Sequence, residues 1–139
     1  MLRLPFLCFL FLSMAYSAQA QNSLNISVEG VKKIKGEVFV ALFNQSEGFP
    51  GGDARFREAV VKVEQSTVQI QFDNLPAASY AVSLFHDVNE SGDMDTNWMG
   101  IPKEPYGFSN NPRIVFRAPT YEDCSFSVEQ DTQVKINLK

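Results

Sequence analysis

Cysteine and histidine are scarce in this sequence, which contains two cysteines and one histidine among 139 residues. Cys8 lies in an N-terminal apolar run that we predict to be removed, so Cys124 would be the single cysteine of the mature chain. One cysteine excludes an internal disulfide. One cysteine and one histidine also exclude a Cys–His zinc site built within the chain. We therefore expect Cys124 to be a free, buried thiol.

Positive charge is also scarce. The 12 basic residues are outnumbered by 16 acidic ones, and the formal net charge of −4 becomes about −5 when Arg3 is removed. This balance argues against non-specific binding to nucleic acid or to anionic membranes, because both require basic patches. The sequence identifies no partner, and an envelope protein or a carbohydrate is compatible with it.

Long apolar runs are absent except at the N-terminus. Arg3, the apolar residues 4–14 and the small residues of the segment 18–20 form the three parts of a cleavable signal peptide. The run is shorter than the about 20 residues that span a bilayer, which disfavours an uncleaved anchor. We predict that residues 1–20 are a signal peptide. Residues 21–139 would then form one domain, exported to the periplasm or the extracellular space.

Most of the remaining chain alternates apolar and polar side chains, which is typical of β-strands. The segment 36–44 is apolar on both faces and is expected to lie centrally in a sheet. Between residues 86 and 123 the periodicity is lost. We predict an all-β sandwich of about seven strands with one long irregular region. The predicted strands are at residues 24–28, 36–44, 60–63, 68–72, 80–85, 124–128 and 134–138.

Tyr80 follows the turn Asn74-Leu75-Pro76 at the start of a predicted strand. This arrangement is similar to the tyrosine corner of Greek-key sandwiches, in which a tyrosine hydroxyl bonds to the backbone a few residues upstream. The alternative is that Tyr80 only fills its strand.

An acidic loop, residues 87–95, follows the fifth predicted strand. Oxygen-bearing side chains occupy its positions one, three, five and nine, glycine occupies position six, and the position-seven carbonyl would turn inward. Alternate spacing directs successive oxygens towards one centre, which suits a hard cation such as calcium. The candidate ligands are Asp87, Asn89, Ser91, Asp93 and Asp95.

The calcium-loop pattern is incomplete, because Trp98 stands where an EF-hand has a bidentate glutamate and no helix flanks the loop. Asn97, Glu104 or water would have to complete the ligand shell. An incomplete shell predicts weak binding, with a Kd of about 10⁻⁴ to 10⁻³ M. The alternative is a solvated turn in which Asp and Asn side chains satisfy backbone groups.

His86 and three aromatic residues are the remaining candidates for ligand binding. Beside Asp87, His86 suggests a general base. Successive strand residues point to opposite faces, however, which favours a structural histidine bonded to the following loop. Trp98, Tyr106 and Phe108 would form either a carbohydrate- or peptide-binding surface or, as we favour, a lid over the sandwich end.

The stretch from residue 72 to residue 123 resembles an uncharacterised family of secreted or periplasmic bacterial proteins, classed as a domain of unknown function. The resemblance implies an exported bacterial sandwich of Greek-key type, similar to transthyretin-like and prealbumin-like modules, and implies no activity. The matching pieces are Asn74-Leu75-Pro76 with Tyr80, His86-Asp87-x-Asn89, Gly92, Asp95-x-Asn97, Gly100-Ile101-Pro102-x-Glu104, Gly107-Phe108-Ser109-Asn110 and Pro119-x-Tyr121-Glu122-Asp123.

These features favour an exported, non-enzymatic binding or structural module with a weak calcium-binding loop. We assign no catalytic residue and no organic cofactor. The alternatives are a carbohydrate- or peptide-binding module that uses the loop aromatics, and a hydrolase that depends on His86. The hydrolase would need His86 in a concave pocket with a second polar group within hydrogen-bond reach.

Overall fold

The computed structural model describes residues 21–113 and 115–139, and the predicted signal peptide lies outside them. The described chain contains eight β-strands and one short helix. In chain order these are β1 (Asn22–Glu29), β2 (Glu37–Phe43), β3 (Arg57–Lys62), β4 (Val68–Leu75), β5 (Ala78–Asp87), β6 (Tyr106–Phe108), α1 (Tyr121–Cys124), β7 (Phe126–Val128) and β8 (Thr132–Asn137). Within this part of the chain, no helix is long and apolar enough to cross a membrane.

The strands form two sheets. The first has the order β4-β1-β8, with β1 antiparallel to β4 and parallel to β8. The second has the order β3-β2-β5-β6, and β7 pairs with the beginning of β5. The predicted all-β sandwich is confirmed. The strand that is apolar on both faces, β2, does lie between two neighbours. The Greek-key, transthyretin-like relationship stays a prediction.

A single hydrophobic core is built from both sheets. Leu24, Ile26 and Val28 of β1 are fully buried, as are Val38 and Leu42 of β2. Their spacing of two places them on one face of each strand. Burying a valine, leucine or isoleucine side chain contributes about 1.5–3 kcal/mol. The core can therefore stabilise a domain that has no disulfide.

The region predicted to be irregular is partly regular, because it contains β6 and α1. The strand β6 pairs with β5 and was missed because three residues with a central glycine show no alternation. A Cβ on Gly107 would lie 2.7 Å from Cγ2 of Ile136, so glycine permits the close approach of β6 to β8. Only this tertiary contact reveals the strand.

Hydrogen bonds of a buried serine and of a helix cap stabilise the rest of this region. The Ser109 hydroxyl is buried, accepts a bond from the N–H of Val82 at 2.9 Å and donates to the carbonyl of Cys124 at 2.6 Å. The helix α1 begins after Thr120, which forms a capping box with Asp123. The hydrogen bond from Arg117 holds the pKa of Asp123 well below its usual range, at about 2. Side-chain hydrogen bonds, more than core packing, thus stabilise this region.

The predicted tyrosine corner is present. The Tyr80 hydroxyl donates a hydrogen bond of 2.7 Å to the carbonyl of Pro76, four residues upstream, and the Tyr80 side chain is almost completely buried. The bond ties the turn between β4 and β5 to the first half of β5. Tyr80 therefore stabilises the turn in addition to packing within its strand.

We expect Tyr80→Phe to lower the free energy of unfolding by about 1 kcal/mol, because it removes one hydrogen bond and leaves the Pro76 carbonyl without it. Urea denaturation of both proteins would measure the change. Tyr106→Phe is the matched control, since the described contacts include no hydrogen bond from the Tyr106 hydroxyl. Equal stability of Tyr80→Phe and the unmodified protein would contradict a stabilising role for the corner.

Cys124 is free and buried, as the sequence predicted. Burial raises the pKa of its thiol to about 12, and the neighbouring carboxylate of Asp123 acts in the same direction. In the unfolded chain a thiol has a pKa of about 8.5. Stability from this group is therefore complete below about pH 8.5 and is lost as the pH rises towards about 12.

Two measurements test the state of this thiol. Iodoacetamide should alkylate Cys124 slowly in the native protein at about pH 8 and rapidly in urea, because the buried thiol is protonated and covered. Between about pH 8 and pH 10, the free energy of unfolding should fall more steeply for the unmodified protein than for Cys124→Ala. Rapid alkylation of the native protein would rule out the buried, protonated thiol.

Candidate functional site

The acidic loop begins at the last residue of β5. The Asp87 side chain is fully buried, and its two carboxylate oxygens accept backbone hydrogen bonds from Ser91 at 3.1 Å and from Gly92 at 2.8 Å. Gly92 has a φ of +87°, which is the sharp turn expected at position six. A carboxylate offers about four lone-pair positions. Asp87 therefore fixes the first half of the loop and keeps acceptor capacity.

The remaining predicted ligands meet around Ser91. Its hydroxyl donates to the backbone carbonyl of Asp93 at 2.9 Å and lies 3.5 Å from Oδ1 of Asp95. Oδ1 of Asn89 accepts from the Ser91 N–H at 3.3 Å, and Nδ2 of Asn89 donates to Oδ2 of Asp95 at 2.6 Å. Oxygens from positions one and three thus bond to the N–H of Ser91, and oxygens from positions seven and nine lie beside its hydroxyl.

Glu104 reaches the same loop from a distant part of the sequence. Its side chain is buried, and its two oxygens accept backbone hydrogen bonds from Val88 at 3.1 Å and from Asp95 at 3.2 Å. These bonds hold the first and last turns of the loop at a fixed separation. The sequence suggested Glu104 as an additional metal ligand, whereas the structure places it as a clamp on the loop backbone. No sequence pattern indicates this role, because the partners are backbone groups.

Asn97 organises a separate turn. Its side-chain oxygen accepts hydrogen bonds from the backbone N–H groups of Met99 at 2.9 Å and Ile101 at 3.0 Å. Trp98, at the tip of this turn, is 90% exposed, and Met99 and Ile101 are exposed beside it. The expectation that Trp98 forms part of a lid is therefore wrong. The side-chain amide of Asn97 stabilises the turn, and the apolar side chains at its tip are exposed to solvent.

Tyr106 and Phe108 behave differently from Trp98. Both lie on β6 and are half-buried, and their ring centroids are 5.8 Å apart in an edge-to-face arrangement. Phe108 also contacts Phe49, at a centroid distance of 6.3 Å. No ring contact joins Trp98 to these two residues in the described part of the chain. The three predicted aromatics therefore do not form one cluster.

His86 is 1% exposed and occupies the end of β5. Its Nε2 lies 2.7 Å from the carbonyl oxygen of Lys35, which can only accept, so Nε2 carries the proton. The partner is the connection before β2 and not the following loop, contrary to the prediction. In the neutral ring Nδ1 is then an acceptor, and it is buried without a hydrogen-bond partner among the described residues. Asp87 is the next residue of the strand and points to the opposite face.

Comparison with known proteins gives one family and no close relative. No curated protein and no solved structure matches this chain. The family profile covers β1 from Ile26 onwards, the acidic loop and the final strand up to Asn137. Residues 26–137 match the family described as "Uncharacterized protein conserved in bacteria (DUF2141)", and the chain therefore belongs to that family.

Proposed function

We propose that this protein is an exported, non-enzymatic binding or structural module whose acidic loop binds calcium weakly. The observation that carries the proposal is the meeting of oxygen atoms around Ser91. Oxygens of Asp87, Asn89 and Asp95 and the carbonyl of Asp93 bond to Ser91 or lie beside it. Carboxylate, amide, hydroxyl and carbonyl oxygens are the ligands that a hard cation prefers.

Electrostatic repulsion also favours a cation in this loop. Unit charges about 5 Å apart repel by about 3 kcal/mol at an effective dielectric constant of 20. Asp87, Asp93 and Asp95 fall within nine residues. Backbone N–H groups offset part of the charge on Asp87. Asp95 receives its side-chain bonds from the neutral groups of Asn89 and Ser91, so a bound cation would lower the energy of the loop further.

The ligand set supports weak binding and a structural role. No group of three or more His, Cys, Asp or Glu side chains in the described residues is placed to hold a metal ion. The shell would therefore depend on the neutral oxygens of Asn89 and Ser91, on a carbonyl and on water. Such a shell suits a compartment that is rich in calcium, and export would place the domain in one. Calcium would stiffen the loop and would not activate a substrate.

Thermal unfolding in about 10 mM calcium chloride and in EDTA tests the calcium site. For a Kd of about 10⁻³ M the ion should stabilise the protein by about 1.4 kcal/mol, which raises Tm by roughly 5 °C. Magnesium chloride at equal ionic strength should give a smaller shift, because Mg²⁺ gives up its hydration water reluctantly. Identical Tm values in calcium and in EDTA would remove the calcium proposal.

Matched charge variants assign any such shift to the loop. Asp95→Asn keeps the side-chain shape and should abolish most of the calcium shift. Asp53→Asn removes the same charge from an exposed position elsewhere and should leave the shift unchanged. Asp87→Asn is a poorer choice, because this buried carboxylate also orders the loop backbone.

The exposure of Trp98 favours a second candidate function, binding of carbohydrate or peptide at the tip of the turn that Asn97 organises. A tryptophan that is 90% exposed presents a large flat ring to a ligand. The two hydrogen bonds to Asn97 hold the tip in place. The remaining alternative, a hydrolase, gains no such support. No serine or cysteine in the described residues bonds to the free nitrogen of His86.

Affinity electrophoresis in native gels with soluble β-glucan or xylan tests carbohydrate binding at Trp98. Retardation of the protein that is lost in Trp98→Ala would support it, because stacking on the ring would be removed. Phe116→Ala is the matched control, since Phe116 is an aromatic residue with 99% exposure on another loop. Equal mobility of the unmodified protein and Trp98→Ala in every gel would count against this function.

A further inference from the structure

The strand β3 is an open edge of its sheet. In the described part of the chain it pairs with β2 and with no other strand. The opposite edge differs, because the N–H of Lys139 donates to the carbonyl of Tyr106 at 2.9 Å and so extends the pairing of β6. An open edge presents a row of N–H and C=O groups that can pair with another strand. The edge of β3 is therefore a surface suited to strand pairing.

The backbone groups of three residues point to this open edge. The N–H of Val63 donates to the Gly36 carbonyl at 2.9 Å, and the register between β3 and β2 continues from there without a shift. Successive residues of a strand direct their backbone groups to opposite sides, so the odd-numbered residues of β3 bond to β2. The N–H and C=O groups of Glu58, Val60 and Lys62 therefore point away from β2, towards the open edge.

The side chains of the same three residues lie on one face of the sheet and carry opposite charges at the two ends. Val60 is 50% exposed, and Glu58 and Lys62 are exposed two positions before and after it. Glu58 uses Oε2 for an ion pair of 2.8 Å with Arg55, which leaves its Oε1 available. Lys62 takes part in no ion pair among the described residues. The edge thus presents an acid, a valine and a base at equal spacing.

This order of charges selects one register for a second copy of the same strand. In a two-fold antiparallel pair, residues from the same face of the sheet lie opposite each other. A pair centred on Glu58 or on Lys62 places like charges directly opposite, which is destabilising. A pair centred on Ala59 or Val61 places a charged side chain opposite Val60. A pair centred on Val60 places Glu58 of each copy opposite Lys62 of the other, and valine opposite valine.

An apolar row on the outer face of the sheet ends at the centre of this register. Phe39 lies beside Val60 on one side and beside Phe85 on the other, and Tyr106 follows on β6. The rings of Phe39 and Phe85 stack with their centroids 5.1 Å apart, and both side chains are half-buried. Pairing at Val60 would continue this row into the second copy and cover its exposed end.

We propose that two copies of this protein associate through β3, antiparallel and centred on Val60, so that their outer sheets form one continuous sheet. Three hydrogen-bonded residue pairs exchange two backbone bonds each, about six in all. The contact uses one strand from each copy, whereas standard interfaces use about 20–30 residues a side. Association is therefore weak and depends on concentration. It involves neither the acidic loop nor Trp98, and so stands apart from the proposed calcium and carbohydrate sites.

Sedimentation equilibrium and amide hydrogen exchange test the pairing in a concentration series from micromolar to millimolar. The apparent mass should rise from one chain towards two. The N–H groups of Glu58, Val60 and Lys62 should become protected only at high concentration, whereas those of Ala59 and Val61 should be protected throughout, because they bond to β2. The mass of one chain at every concentration would overturn the proposal and leave the edge to other partners. A dimer with unprotected edge amides would overturn it equally.

Charge reversal tests the register. Glu58→Lys and Lys62→Glu each place like charges opposite in a pair of identical copies, and each alone should weaken association about tenfold or more. An equimolar mixture of the two variants brings only opposite charges together and should associate as the unmodified protein does. Lys32→Glu, which reverses an exposed lysine outside β3, is the matched control and should leave association unchanged.

Circular dichroism of each variant, at a concentration where one chain prevails, establishes that it is folded. Both changed side chains are exposed, so the spectrum should match that of the unmodified protein. Folded variants whose mixture associates no better than either variant alone would exclude the register centred on Val60.

Discussion

Buried carboxylates must be paired or hydrogen-bonded, and one end of this sandwich is built around two of them. Asp87 and Glu104 each accept two backbone N–H bonds from the acidic loop. Removing a partner from a buried charge costs several kcal/mol. The loop cannot move away from these side chains without leaving both charges unpaired. The shape of the loop therefore depends on the cost of burying these two carboxylates without partners, more than on the amino-acid composition of the loop.

The strand β5 connects this constraint to the rest of the fold. It pairs with β2, β6 and β7, begins at the tyrosine corner and ends at His86 and Asp87. Gly36, immediately before β2, has a φ of +74°, and a Cβ there would overlap the carbonyl oxygen of Asp87. Only glycine allows the connection between β1 and β2 to approach the base of the acidic loop so closely. The same approach brings the Lys35 carbonyl to His86.

The alternation of side chains in β5 separates His86 from Asp87 at the loop end of the strand. His86 points to one face and bonds to the Lys35 carbonyl, while Asp87 points to the other and orders the acidic loop. Glu104 holds the loop from a second position, because its carboxylate accepts hydrogen bonds from the N–H groups of Val88 and Asp95.

The features that the sequence determined by itself are local ones. Apolar patterning located seven of the eight described strands, and apolar side chains on both faces indicated the inner position of β2. Short spacings indicated the Tyr80 corner and the glycine turn at Gly92, and the cysteine count indicated a free thiol at Cys124. Each of these depends on residues that are close in the chain, where propensity and spacing act directly.

Other features were decided by tertiary structure alone. The short strand β6 exists because β5 offers it an edge, and Glu104 acts as a clamp because folding brings it to N–H groups at both ends of the loop. Likewise, His86 bonds to a carbonyl 51 residues away. Burial and hydrogen bonding between distant segments depend on which surfaces the sandwich brings together, and no local pattern in the chain records that.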